Sequence, residues 1–161
     1  MSNKLGKNVI IEKGAIIGAQ ATTFNDKGEL IKPKEGVIIN DHTWIGSNSV
    51  ICAGLERDTY IGKNVKIGIL CIIGHDVVIE DGVQIMNGTI IAGFASIGRK
   101  TYVGLGTQIR NRVKIGKGSI IGMGSNVVSD IPDNVIAYGN PCKPISKREH
   151  PLKHYYRMFR P

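Results

Sequence analysis

The chain is short of aromatic residues, of cysteine and of long apolar runs. Aromatics make up 6% of its 161 residues while 42% are apolar, so a core must be built mainly from Ile and Val. The three cysteines, Cys52, Cys71 and Cys142, are odd in number, and no pair has metal-ligand spacing. That pattern speaks against a disulfide framework or a thiolate metal site and fits a reduced, cytoplasmic protein. No apolar run approaches the roughly 18 residues a membrane span needs. The start, "MSNKLGKNVI", has no apolar signal segment. Neither stable membrane insertion nor export is expected. Carboxylates are outnumbered, 13 against 21 Lys and Arg, leaving a formal charge of +8. The excess suits an acidic partner such as a phosphorylated cofactor, a nucleotide or an acidic carrier protein; a basic surface without one is the plainer alternative.

What is abundant is glycine, 21 residues without a collagen period. From Ile61 to Asn126 the chain divides into blocks of six without a slip, among them "IGKNVK", "IGHDVV", "IMNGTI", "IAGFAS" and "IRNRVK". Every block opens with Ile or Val, and every fifth position is Val, Cys, Thr, Ala or Ser. Period six fits neither a helix nor a simple alternating strand. It fits short strands joined by corners, three of which close a triangular rung of 18 residues. Rungs stack by parallel pairing at about 4.8 Å. One rung cannot be stable alone, but a stack can.

The period breaks twice upstream. "ICAGLERDTY" spans ten residues where six would keep phase, and a polar stretch at about 22–37, "TFNDKGELIKPKEGV", separates the first blocks from Ile39. The second is expected to be a loop or hairpin expelled from the coil, either functional or a harmless insertion. The domain reading is a repeat solenoid over 1–132 and a C-terminal cap with a basic tail over 133–161. A short helix is expected after Pro151, with Leu152, Tyr155, Tyr156 and Phe159 at helical spacing.

The repeat resembles that of the hexapeptide-repeat acyltransferases, and "GNPCKPI" resembles the segment that ends many acetyl-CoA-dependent members. The stretch "IGHDVVIEDGVQIMNGTIIAGFASIG" is similar to the catalytic region of two branches. These are the nucleotide-aminosugar N-acetyltransferases and the lipid A UDP-glucosamine N-acyltransferase. The resemblance implies an all-β fold, a left-handed parallel β-helix assembling as a homotrimer. Its donor would be acetyl-CoA or, less readily, an acyl carrier protein thioester, and its acceptor a nucleotide sugar; nucleic acid is not an expected partner.

Acyl transfer to an amine needs a group to take the proton, and an imidazole with a pKa of about 6.5 suits that task. His75 is the only histidine inside the unbroken repeat. By resemblance it is the general base at a cleft between subunits; an ordinary surface histidine is the alternative. Asp76 would hold its tautomer, provided the chain bends so that neighbours meet. One rung on, Gly93 would offer its N–H to the oxyanion. Asn87 is a candidate sugar contact. Asn111, Arg112, Lys117, Lys143 and Lys147 are candidate donor contacts, and no metal ligands are expected. The lipid A branch usually has a histidine where Arg112 stands, and both branches often carry an N-terminal domain not seen in these 161 residues. The acceptor is then expected to be held by the coils, the early loop and the tail. O-acylation needs the same base, so the motif does not separate it from N-acylation. A zinc carbonic anhydrase would need more histidines than the repeat supplies, and a non-catalytic scaffold would not need His75.

Overall fold

The computed structural model describes residues 2–147. Among these, regular structure is entirely β, in short strands wound into three sheets. The first sheet stacks strands from Lys4–Leu5 through Val37–Ile39, Thr59–Ile61 and Val78–Ile79 to Lys114–Ile115. The second runs from Ile10–Ile11 through Lys66–Ile67 and Ile120–Ile121 to Cys142–Lys147. The third runs from Ile16–Ala19 through Ile72–Ile73 and Ile90–Ile91 to Asn126–Val127. The chain visits the sheets in turn, so the cross-section is a triangle and each strand lies parallel to the one a circuit earlier.

Pairing shows the length of each circuit. Ile79 pairs with Ile97, 18 residues on. Ile51 pairs with Ile73, 22 on, and Ile17 with Ile51, 34 on. Circuits absorb extra chain because the extra residues leave the coil at one place, with a register shift between Ile17 and Ala19 where the longer insertion departs. Residues 20–36 and 53–58 both emerge at the corner between the third and first sheets. The longer insertion is a hairpin in which Phe24 bridges Leu30 antiparallel and Thr23 C=O accepts the Ile31 N–H at 2.8 Å. It leans on the shorter one, since Lys34 and Glu35 donate to the Gly54 carbonyl at 3.2 and 3.1 Å.

The first residue of each block points inward. Ile61, Ile67, Ile73, Ile79, Ile85, Ile91 and Ile97 are all fully buried, each contributing roughly 1.5–3 kcal/mol before entropy. Fifth positions fill the corners from inside. Where they carry a hydroxyl it finds a carbonyl: Ser49 donates to Gly68 and Thr101 to Gly116, each at 2.8 Å. Buried polar groups are thus paired, as stability requires. Second-position glycines let rungs close up; a Cβ on Gly74 would sit 2.6 Å from the Gly93 nitrogen. The turn itself falls at the fourth position, where φ is positive in Asn64, Asp76, Gly82, Gly88 and Phe94 alike.

The stack ends in a hairpin. Val135–Gly139 pairs parallel with Ile120–Ile121, and Cys142–Lys147 returns antiparallel beside it. "GNPCKPI" is the turn and returning strand. The helix expected after Pro151 lies outside the described residues. No helix of the described residues is long and apolar enough to cross a membrane.

Candidate active site

His75 and Asp76 occupy the third and fourth positions of their block, between Ile72–Ile73 and Val78–Ile79. This is the corner from which both insertions emerge. Asp76 takes the left-handed turn, with φ of 59°. The chain therefore bends between neighbours that a straight strand would hold apart, and Asp76 Oδ2 lies 2.7 Å from His75 Nδ1. The Asp76 N–H donates to Thr59 Oγ1 at 2.9 Å, fixing the turn from behind.

The Asp76 side chain is fully buried. Residues 53–58 explain how a carboxylate survives there. The backbone N–H groups of Leu55, Glu56 and Arg57 all donate to it, at 2.9, 2.9 and 2.8 Å. Arg57 also reaches over to the Asp76 carbonyl with Nη2 at 3.0 Å. Burial works against ionisation, but the three N–H donors and the His75 ring outweigh it and hold the carboxyl below its ordinary value. An ionised carboxylate only accepts, so Nδ1 donates to Asp76, and in the neutral ring the lone pair falls on Nε2. The ring remains 15% exposed. It does not point into the apolar interior.

Three further groups meet this ring. Gly93, one rung on, lies against it: a Cβ there would stand 2.6 Å from both Cε1 and Nε2. Only glycine fits under the imidazole. Gly93 is buried, and its N–H has no acceptor among the described residues; an orphan of that kind is rare. Phe94 stands edge-on to His75 with ring centroids 5.0 Å apart, and Arg112 lies 4.4 Å above the Phe94 ring. Asp76, Phe94 and Arg112 form one column, all with positive φ and none of them glycine. The turn is that of the coil as a whole, since Asn64, Leu70 and Lys100 adopt it at the other corners. Finally, Thr23 Oγ1 from the long hairpin is 3.3 Å from Nε2, with its hydroxyl positioned to donate to that lone pair.

Sequence reasoning missed Thr23, Phe94 and the three backbone donors. The rung length applied to Asp76 rather than His75 would have found Phe94. Nothing in the sequence signalled Thr23. The remaining candidates divide. Asn111 and Arg112 share the His75 corner and are exposed. Asn87 lies at the corner between the second and third sheets, where its side-chain oxygen accepts the Ile69 N–H at 3.1 Å. Lys117 lies at the corner between the first and second sheets and pairs with Asp133 at 3.8 Å. Lys143 and Lys147 are on the terminal hairpin, which extends the second sheet, the face opposite His75 within one chain. His42, at the corner between the first and second sheets, faces Asn8.

The family model for the bacterial transferase hexapeptide, six repeats, matches residues 58–93, a stretch that holds His75 and ends on Gly93. Residues 58–93 thus carry the hexapeptide repeat of that family model. A UDP-3-O-acylglucosamine N-acyltransferase of Methylorubrum populi is 38% identical over 146 residues, which is 88% of this chain but 41% of the relative. The UDP-N-acetylglucosamine O-acyltransferase of Moraxella catarrhalis superposes with a TM-score of 0.85 at 26% identity, covering 99% of this chain and 60% of that one. The acetyltransferase domain of PglB from Neisseria gonorrhoeae, solved in complex with acetyl coenzyme A, gives 0.58 at 25% identity over 86% of this chain and 58% of its own. The hexapeptide-repeat fold is the left-handed parallel β-helix of such acyltransferases. The chain spans less than half the length of the curated relative from Methylorubrum.

Proposed function

We propose that this hexapeptide-repeat chain transfers an acyl group, acetyl by preference, from a thioester to the amino group of a nucleotide-linked aminosugar. The observation that carries the reading is the His75–Asp76 pair at 2.7 Å, with Asp76 held ionised by three backbone donors. The acceptor amine attacks the thioester carbonyl as its proton passes to Nε2. Asp76 stabilises the imidazolium so formed, and the unpaired Gly93 N–H receives the oxyanion. Collapse expels the thiolate, which takes the proton from the ring. The acceptor class is supported by the UDP-sugar names of the Methylorubrum and Moraxella proteins. Acetyl-CoA as donor is supported by the Neisseria complex; an acyl carrier protein is the alternative. Asn111 and Arg112, two rungs along the His75 corner, are the donor contacts we favour. Lys143 and Lys147 would join them only from another protomer.

The assembly we propose is a homotrimer. The outer face of the third sheet carries a ladder of Ile16, Val50, Ile72 and Ile90, with Ile72 44% and Ile90 40% exposed. Covering this face would bring a neighbour to the sheet that ends on His75. A cytoplasmic location fits the three free cysteines. O-acylation is the second reading, favoured by the O-acyltransferase from Moraxella. Thiol release from acetyl-CoA, assayed against UDP-aminosugars and their hydroxyl counterparts, tests the proposal. Product mass with an aminosugar alone supports it, product with the hydroxyl sugar alone moves it to O-acylation, and no product with either refutes it.

A further inference from the structure

Arginine carries its N–H donors in a fixed fork, yet the Arg112 side chain makes no hydrogen bond or ion pair among the described residues. What it touches is the Phe94 ring, with the guanidinium carbon 4.4 Å from the centroid. Phe94 in turn stands edge-on to His75 at 5.0 Å. The guanidinium is therefore no farther from the imidazole than those two spans laid end to end. An aromatic face fixes a guanidinium without consuming its donors. Three side chains from successive rungs thus hold an unused fork beside the base.

The corner is open in one direction only. On the side of the earlier rungs, residues 53–58 close over Asp76 with three N–H groups and the Arg57 guanidinium. The long hairpin leans on them through the Gly54 carbonyl. On the side of the later rungs the turns are the bare four residues of 92–95 and 110–113. A substrate arm leaving a carbonyl that sits between His75 and Gly93 therefore runs over Phe94 and Arg112. Distance decides which part of a thioester donor lies there. Coenzyme A and acyl carrier proteins share a pantetheine arm with amide groups, and its phosphorus follows the sulfur at about 15 Å if the arm is as extended as a strand. Two rungs advance only about 10 Å. The Arg112 fork leans on Phe94, one rung nearer the imidazole. It falls short of the phosphate and lies level with the amide carbonyls.

We propose that Arg112, seated on Phe94, binds the amide carbonyls of the donor's pantetheine arm and not its phosphates. This deepens the donor contact argued above and rests on His75 and Gly93 being the acyl-transfer centre. Phe94 is the positioning residue and Arg112 the binding residue. The contact is indifferent to whether the arm is carried by coenzyme A or by a protein.

The test compares acetyl-CoA with S-acetylpantetheine, which has no phosphate, at saturating UDP-aminosugar, and measures binding of CoA and of pantetheine by calorimetry. The variants keep the left-handed turn: Arg112→Asn, because asparagine adopts it readily, and Phe94→Leu, because Leu70 adopts it at another corner. Arg112→Asn is expected to raise KM about 10-fold for both donors alike, and to weaken CoA and pantetheine binding by the same factor. Phe94→Leu is expected to raise both KM values about 3-fold, an effect that disappears when Arg112→Asn is already present. A loss with acetyl-CoA but none with S-acetylpantetheine overturns the proposal in favour of a phosphate contact. A rise confined to the KM of the UDP-aminosugar overturns it by giving Arg112 to the acceptor. Unchanged KM and binding for both donors overturns it while transfer by the wild type leaves the His75 centre standing. Wild-type protein that transfers acetyl from neither donor overturns both.

Discussion

Two corners of the same prism use the same backbone for different ends. Between the first and second sheets, the regular circuits spend four residues on the turn, and third positions carry charge of either sign: Asp41, Lys63, Asp81, Arg99, Lys117, Asp133. Each Asp caps a single N–H one rung below, as Asp81 does for Lys63 at 2.8 Å, in solvent. Between the third and first sheets the chain is interrupted by residues 20–36 and 53–58, and the acid at this corner is buried under three N–H donors and an imidazole. The regular corner shows what stacking alone requires. Whatever the other corner adds is surplus to the fold, and that surplus converges on His75.

Several substitutions can break or sharpen this contrast. The largest effect on stability should ignore it altogether. Ile61 and Ile73 precede the two kinds of corner and are equally buried, so Ile61→Ala and Ile73→Ala should each cost about 2–5 kcal/mol in denaturant unfolding. A much smaller loss at Ile73 would mean that its corner does not share the common core. Next comes Gly93→Ala, whose Cβ would stand 2.6 Å from the imidazole. Displacing the ring should lower turnover about 100-fold while leaving the thermal midpoint of the fold nearly unchanged; wild-type turnover would show that the packing against Gly93 is incidental.

Asp76→Ala strands three backbone donors and should destabilise by about 1–3 kcal/mol, whereas Asp81→Ala should cost under about 1 kcal/mol. Equal losses would erase the distinction between the corners. The same carboxyl predicts a pH effect. Because its folded pKa is depressed, its contribution is fully present above the ordinary carboxyl range and is lost as pH falls through the folded value. Asp76→Asn should flatten that acid limb of the stability curve, and an unchanged limb would assign it to other groups. Smallest is Lys117→Ala at the regular corner, expected to lie within about 0.5 kcal/mol of wild type; a loss of turnover there would return Lys117 to the donor site.

The coil was legible in the sequence because its cause is periodic: an aliphatic residue must point inward in each block, and Ile61 to Val127 show it. The His75–Asp76 pair was legible for the opposite reason, as a departure from that monotony. Position four was not legible, since the left-handed turn is filled by Asn, Asp, Leu, Phe, Lys and Arg as well as Gly, leaving no residue signature. The oxyanion candidate followed from rung arithmetic, but its tight seat under the imidazole needed coordinates. Thr23 was out of reach because its contact spans 52 positions through a hairpin whose path no repeat dictates. The ten-residue break looked like an interruption; it is the lid that neutralises a buried carboxylate with main-chain N–H groups, whose identity side chains do not encode.

The central claim is that the interrupted corner, and not the regular one, performs the chemistry. Its most direct test is kcat/KM for acetyl transfer in His75→Ala beside His42→Ala, since His42 sits at the regular corner with a similarly positive φ for its own turn. The account predicts a loss of about 10²–10⁴-fold at His75 and wild-type behaviour at His42. Near-normal transfer by His75→Ala in folded protein would contradict it.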